Sequence, residues 1–225
     1  MAIKVMEAES GGTSARRRHS LESELRARNL DHENIIRVHQ VHAVEQSHAV
    51  IIMEYVGSRN LHSLLVERKE KSLGRSWLLG AAAQVSSALQ HCHQRKVVHL
   101  DVKPSNILVT SGGVCKLGDF GCSVGLSSNG KGPAVELTGT PGYQVSCANT
   151  LHVKLLITTF EPVPRYMFFY QAPELLKGEA PSRACDVYSL GILLWQLDSR
   201  SIPYAGQHPQ EKIVLLLLLL CFSQS

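Results

Sequence analysis

The spacing of apolar residues in the first part of the chain predicts strands flanking one helix. Residues 48–56, H-A-V-I-I-M-E-Y-V, form a short apolar run typical of a buried strand that continues into a connector. Residues 20–30 place Leu21 and Leu25 on one helical face, four positions apart, with Ser20 as the candidate N-cap. A mixture of strand and helix is therefore expected here.

Longer apolar stretches in the second part predict helices. Residues 76–94 read as an apolar helix with Ser76 as a possible cap, and residues 182–197 read as a buried helix with Trp195 in the core. In the helix predicted at 76–94, the residues expected to face the core are Leu79, Ala82, Ala83, Val85 and Leu89.

Short apolar pairs and triplets lie between these two helices and surround polar segments. Val97-Val98 leads into a polar stretch, and Ile107–Val109 and Val114–Leu117 predict two short strands around a G-G turn. This strand–loop–strand arrangement is a platform that holds polar side chains in place, and the overall pattern predicts the α+β class.

Composition narrows the class of protein only modestly. The chain has 225 residues, 44% of them hydrophobic and 19% charged, which suits one large globular domain or two small ones. The net charge of +4 argues against a dedicated nucleic-acid-binding protein. The basic cluster Arg16–Arg18 is read as a solvated helix start, with contact to an acidic partner as the alternative.

Cysteine spacing and the apolar run near the end bear on compartment. The six cysteines include no C-x-x-C pair, and no secretory signal opens the sequence, so free thiols in a reducing compartment are expected. The run Ile213–Cys221 is apolar but shorter than the roughly 20 residues of a membrane span, so no membrane anchor is predicted.

The richest chemistry lies at residues 99–121, H-L-D-V-K-P-S-N-I-L-V-T-S-G-G-V-C-K-L-G-D-F-G. Asp101 is suited to accept a hydroxyl proton, and Asn106 and Asp119 are suited to hold magnesium ions against phosphates. Lys103 is a point charge within reach of a transferring phosphate. These residue types predict phosphoryl transfer.

A metal site built on histidine is the competing interpretation of the end of the helix predicted at 76–94. His91 and His93 lie close together on the predicted helix, but no acidic or cysteine partner follows at ligand spacing, so this interpretation is disfavoured.

The stretch H-x-D-x-K-x-x-N followed by D-F-G resembles the eukaryotic protein kinases, and within them the serine/threonine kinases. Further details are similar to the Mos family. They are Leu100 in place of the usual arginine, V-C-K-L-G-D-F-G-C-S at 114–123, I-I-M-E-Y at 51–55, and A-P-E-L-L-K-G-E at 172–179. The resemblance implies a two-lobed kinase fold that is truncated, with an incomplete β-rich small lobe and a mostly helical large lobe lacking its last helices.

The resemblance also implies roles for residues outside the central motif. Lys4, at the end of the strand M-A-I-K, is expected to contact ATP phosphates and to pair with Glu24 of the following helix, Glu22 being the rival. Asp101 and Lys103 would be catalytic. Asn106 and Asp119 would hold Mg²⁺.

The nucleotide itself is expected to lie between the two lobes. Met53 would lie at the back of the pocket for ATP, Glu54 to Val56 would form the hinge that binds adenine, and Leu108 would contact the nucleotide. Asp186 is similar to the helix aspartate that anchors the catalytic loop of kinases.

One block interrupts the resemblance. T-G-T-P-G-Y-Q at 138–144 and A-P-E-L-L at 172–176 are joined in many kinases, but residues 145–171 separate them here. We expect this block to derive from an unspliced intron, since Val-Ser and Phe-Phe-Tyr-Gln are compatible with splice-site codons. A genuine insertion is the alternative.

The expected organisation is a partial small lobe at 1–56, a partial large lobe at 57–212 and an artefactual tail at 213–225. Membership of the Mos family would imply a cytoplasmic, monomeric kinase that phosphorylates a MAP kinase kinase in maturing oocytes, with no nucleic-acid or membrane partner. Leu100 cannot pair with a phosphate, so activity is expected not to depend on activation-segment phosphorylation through this position.

Two alternatives stay open. No G-x-G-x-x-G precedes Lys4 in this sequence, which would suit a non-catalytic pseudokinase or inactive fragment. A small-molecule phosphotransferase is the weaker alternative, because the T-G-T-P-G-Y and A-P-E segments serve peptide substrates in kinases.

Overall fold

The computed structural model describes residues 1–7, 14–44, 48–67, 74–133, 170–176 and 178–203. Its first part, here called the small lobe, contains strands β1 (Ala2–Glu7), β2 (Val38–Val44) and β3 (His48–Met53), and helix α1 (Ser14–Ala27). The strands form an antiparallel sheet in the order β1-β3-β2.

The remaining elements, here called the large lobe, are mostly helical. Among the described residues, two short antiparallel strand pairs, β4 with β7 and β5 with β6, stand apart from the small-lobe sheet. The large-lobe elements are α2 (Leu61–Glu67), α3 (Arg75–Gln94), β4 (Val97–Val98), β5 (Ile107–Val109), β6 (Cys115–Leu117), β7 (Val124–Gly125), α4 (Pro173–Leu176) and α5 (Arg183–Ser199).

The core of the small lobe is formed by alternate residues of β3 and by one face of α1. Ala49 and Ile51 point into the core from β3, as the period of two along a strand requires. From α1 the buried residues are Ser23, Glu24 and Ala27. The strand predicted at 48–56 is confirmed, with its connector beginning after Met53.

Two details predicted for α1 are wrong. The helix begins at Ser14, so Ser20 lies inside it and does not cap it. Leu25 is 41% exposed, because the helix turns the face carrying Glu24 toward the sheet and so carries Leu25 away from it.

Helices α3 and α5 share the main core. From α3 the residues Val85, Leu89 and Cys92 are buried at the spacing of one helical face, and Leu193 and Leu197 meet this cluster from α5.

Several predicted core positions of these helices face solvent instead. Leu79 is 64% exposed and Ala83 is also exposed, while Ala81, which was not predicted, is buried. Trp195 is 49% exposed, because the buried stripe of α5 passes through Leu193 and Leu197. The cap of α3 is Gly74 and not Ser76, whereas Ser182 caps α5 through the Ala184 N–H.

The strand–loop–strand platform is confirmed, with β5 and β6 paired around the G-G turn. The α+β class is confirmed as well. Residues 145–169 of the block and the tail 213–225 lie outside the described residues, so the predicted lobe limits stay a prediction. Among the helices of the described ranges, none has the length and apolarity to cross a membrane.

Candidate active site

Lys4 joins the sheet, α1 and the D-F-G segment. It lies in the middle of β1 opposite Ile51. Its Nζ atom is 2.8 Å from Glu24 Oε1 and 2.7 Å from Asp119 Oδ1. Glu22, the rival partner, is solvent-exposed and lies 3.6 Å from Arg26 instead. The predicted Lys4–Glu24 pair is therefore confirmed.

The electrostatic surroundings of Lys4 and Asp119 favour the ionised form of both groups. Burial by itself would lower the pKa of Lys4, but the neighbouring carboxylates of Asp119 and Glu24 outweigh it and hold that pKa above its ordinary value. Burial would likewise raise the pKa of Asp119, and the charge and hydrogen bond of Lys4 hold it below its ordinary value. Lys4 is thus a fixed cation.

A second cluster of polar groups surrounds Asp101. Both Lys103 Nζ, at 2.7 Å, and Asn106 Nδ2, at 2.8 Å, donate to Asp101 Oδ2. Asn106 Nδ2 also donates to the Asp101 carbonyl at 2.8 Å. The amide nitrogen of Asn106 therefore fixes the loop, and its amide oxygen is the atom suited to a cation.

The loop that carries Asp101 is anchored from α5. The buried carboxylate of Asp186 accepts the backbone N–H groups of His99 at 2.9 Å and Leu100 at 2.8 Å. His93 Nε2 lies 2.8 Å from the same carboxylate. The anchoring predicted for Asp186 is confirmed, and His93 is a partner that the sequence reasoning did not find, since it treated this histidine only as a possible metal ligand.

His99 connects the loop to the D-F-G segment. Its Nδ1 accepts the Asp101 N–H at 3.2 Å, so the proton lies on Nε2, which donates to the Gly118 carbonyl at 3.0 Å. The buried Phe120 ring meets His99 edge-on, with centroids 4.6 Å apart. Asp119 between them has φ 59°, a left-handed conformation that aspartate tolerates better than most residues.

The segment that follows D-F-G is held to α1 through the carbonyl oxygen of Ser123. Ser23 Oγ donates to the Ser123 carbonyl at 2.7 Å, and Arg26 Nη1 donates to the same oxygen at 3.3 Å. Neither serine was predicted. No sequence signal marked them, because the buried face of α1 carries Ser23 and Glu24 beside Ala27 and is not recognisable as an apolar face.

A cavity of about 230 Å³ opens between the sheet and the catalytic loop. The lining residues are Lys4, Glu24, Ile36, Val38, Met53, Ser105, Asn106, Leu108, Gly118, Asp119 and Phe120. The lining combines apolar side chains, which suit a nucleobase, with an ammonium, two carboxylates and an amide. These donors fit a nucleotide phosphate and a hard divalent cation.

The hinge residues lie beside this cavity rather than in its lining. Met53 and Leu108 line it, as expected for nucleotide contacts, whereas Glu54 and Val56 are not among the lining residues. The Glu54 carboxylate contacts Lys116 Nζ at 2.9 Å and accepts the Arg37 N–H at 2.8 Å. The adenine contacts of Glu54 and Val56 stay a prediction for their backbone groups.

Comparison with known proteins defines the class first. A family model described as protein kinase domain matches residues 1–146. The chain therefore belongs to the protein kinase family, whose members use ATP and a divalent metal. A yeast RNA polymerase II CTD kinase complex shares the fold, with a TM-score of 0.66 and 22% identity over 94% of this chain and 58% of that one.

Within this family the chain is similar to Mos serine/threonine kinases. It is 36% identical to that of Xenopus laevis over 84% of this chain and 48% of the relative. It is 37% identical to that of Patiria pectinifera over 85% and 48%, and 33% identical to that of Gallus gallus over 92% and 57%. The chain thus spans about half the length of these relatives.

Proposed function

We propose that this protein is a serine/threonine kinase that transfers the γ-phosphoryl group of ATP to a protein hydroxyl. The observation that carries the proposal is that side chains from both polar clusters line the same cavity. Lys4, Glu24 and Asp119, which are paired with one another, line the cavity together with Asn106, which is bonded to Asp101. A site of this kind aligns phosphates against a base.

The residues divide the work of transfer between them. ATP is the phosphoryl donor, and a bound divalent cation would neutralise charge on its phosphates. Lys4, fixed by Glu24, is placed to bind phosphate oxygens. Asp119 and the Asn106 amide oxygen would hold the cation. Asp101 orients the substrate hydroxyl and takes its proton at Oδ1, because Oδ2 is occupied by Lys103 and Asn106.

In the transfer, one bond forms at phosphorus as another breaks, and one proton moves. The substrate oxygen forms a bond to the γ-phosphorus, the bond to the β-bridging oxygen breaks, and the hydroxyl proton moves to Asp101. Lys103, 2.7 Å from Asp101, is placed to stabilise charge on the transferring group. No covalent enzyme intermediate is needed.

The finer function that we propose follows the similarity to Mos kinases. The substrate would be a MAP kinase kinase, phosphorylated in the cytoplasm during oocyte meiotic maturation by a monomeric enzyme. Identities of 33% to 37% with Mos kinases from vertebrates and a sea star support it.

The test is transfer of labelled phosphate from Mg²⁺–ATP to a catalytically inactive MAP kinase kinase. Wild type is expected to label serine or threonine, Asp101→Asn to lose this activity, and Asp198→Asn, an exposed aspartate of α5, to retain it. Binding of Mg²⁺–ATP without transfer to any protein would favour the pseudokinase alternative. Labelling of other proteins but not of this substrate would overturn only the finer proposal.

A further inference from the structure

Leu100 lies between two small apolar clusters that sit apart from the main core. The first cluster consists of Val98, Val124 and Leu126. The second consists of Ala172, Leu175 and Cys185 with Tyr188 packed against them. The Leu100 side chain packs against both. It therefore connects the strand pair β4–β7 with α4 and the start of α5.

The backbone at Leu100 shows that this placement is held by its surroundings. Leu100 has φ 63°, a left-handed conformation that a branched side chain adopts only under constraint. Its N–H is held by Asp186 Oδ1 at 2.8 Å. Asp186 and Cys185 are neighbours in α5, so one turn of this helix fixes both the backbone and the side chain of Leu100.

The position of Leu100 in the chain gives this packing a consequence for the site. Asp101 is the next residue, and its carboxylate is the proposed base. The second cluster contains Ala172 and Leu175, which flank Glu174 in A-P-E. Glu174 in turn accepts a hydrogen bond from Cys185 Sγ at 3.4 Å. The segment that serves peptide substrates thus meets the catalytic loop through a leucine.

We propose that Leu100 is a positioning residue that couples the A-P-E segment to Asp101 through the apolar packing of its side chain. This side-chain packing needs no phosphate on the chain. It rests on the proposed kinase function for its catalytic consequence, while its structural consequence is independent of activity. Removing the side chain should loosen the second cluster and misplace the peptide substrate relative to Asp101.

The structural consequence is tested by alkylation of cysteines, with each cysteine followed by mass spectrometry. Cys185 and Cys115 form a matched pair, because each is 1% exposed and burial raises the pKa of each thiol to about 11. Leu100→Ala is expected to speed alkylation of Cys185 on the order of tenfold through local opening, while Cys115, in the main core, keeps its rate. Leu79→Ala, a truncation of an exposed leucine, should change neither rate.

The catalytic consequence is tested by kinetics with protein substrate. In Leu100→Ala, the KM for this substrate is expected to rise several-fold more than the KM for ATP. Leu100→Met, which keeps a large apolar side chain, should show only a small part of this rise. Leu100→Gly separates side chain from backbone, since glycine adopts φ 63° without strain. If packing is what matters, glycine behaves like alanine.

Three results would overturn the proposal: unchanged Cys185 alkylation in Leu100→Ala, equal effects on both KM values, or wild-type behaviour of Leu100→Gly. If Leu100→Ala exposes Cys115 as much as Cys185, the chain has unfolded globally, and the smaller truncation Leu100→Val is judged by the same criteria. Absence of kinase activity in wild type would refute the proposed function but leave the alkylation result to decide the packing.

Discussion

Lys4 shows how much a single residue contributes when its partners are fixed. Its ammonium group is within 2.8 Å of a buried glutamate and 2.7 Å of an aspartate from a distant part of the chain. A charge held in this way requires little reorganisation when a phosphate replaces water around it, which is the electrostatic advantage of a preorganised site.

Replacing Lys4 by methionine should remove this advantage while keeping the bulk of the side chain. We expect kcat to fall roughly 10²–10³-fold, the cost of losing one preorganised stabilising group. Steady-state kinetics with Mg²⁺–ATP measures it. Lys131→Met, which changes an exposed lysine, is the control; equal activities of the two variants would contradict the role of Lys4.

Cys122 gives a prediction of pH dependence. Burial, followed by the charges of Asp101 and Asp119, raises the pKa of its thiol to about 12. The neutral thiol is therefore favoured, and the alkylation rate should rise about tenfold per pH unit from pH 7 to 10 without levelling off. In the urea-unfolded chain the rate should level off above about pH 8.5. A plateau near that pH in the native protein would refute the shift.

The residues of the site were easier to predict from the sequence than the packing contacts that hold them in place. Asp101, Lys103 and Asn106 lie within one short loop, so their proximity followed from spacing. The contact of Leu100 with Cys185 depends on how α5 packs, and no local pattern encodes that. Glu24 was separable from Glu22 only through the resemblance, because both occupy the same helix one turn or less apart.

At the scale of elements, the helices show where periodicity alone is insufficient. The apolar residues of α3 outnumber the positions that the core accepts, so Leu79 faces solvent while the small residue Ala81 is buried. Trp195 in α5 is exposed for the same reason. When apolar residues occur on every face of a helix, the pattern predicts the helix but not which face is buried. The neighbouring element determines that face.

The junction between β6 and the D-F-G segment depends on close backbone approach. A Cβ atom added at Gly118 would lie 2.3 Å from Ile36 Cδ1. Gly118→Ala should therefore destabilise the fold by about 1–3 kcal/mol, the cost of overpacking. Chemical denaturation measures this.

Two further variants test the cause. Ile36→Val removes the clashing Cδ1 atom, so the double variant should recover most of the loss. Gly80→Ala in α3, where a Cβ meets nothing within 4 Å, should be neutral or stabilising. A double variant no more stable than Gly118→Ala would show that the clash is not the cause.

The anchor between α5 and the catalytic loop gives a second prediction at this scale. Asp186→Ala leaves the N–H groups of His99 and Leu100 without their acceptor. We expect a loss of about 2–4 kcal/mol in the free energy of unfolding, since each unsatisfied buried donor costs about 1–3 kcal/mol. Asp198→Ala, on the exposed side of the same helix, should cost less than about 0.5 kcal/mol. Similar losses for both would contradict the anchor.

At the scale of the whole molecule, the sequence predicts that the block 145–171 interrupts a motif that is joined in many kinases. A variant that joins Gln144 directly to Ala172 should unfold at higher temperature and have higher kcat/KM, because a shorter connection costs less entropy and restores the joined motif. Thermal unfolding and the phosphorylation assay measure this. Deletion of 213–225 is the comparison. Lower activity after removal of 145–171 would identify a functional insertion.

The ion pair between the two lobes and the anchor within the large lobe respond differently to salt. The Lys4–Asp119 pair is partly open to solvent, with the two side chains 36% and 50% exposed, so mobile ions screen it. The Asp186 anchor is fully buried and largely escapes such screening. Rising ionic strength should therefore loosen the alignment between the lobes while the catalytic loop keeps its shape, so that salt acts on this molecule first as an inhibitor and only later as a denaturant.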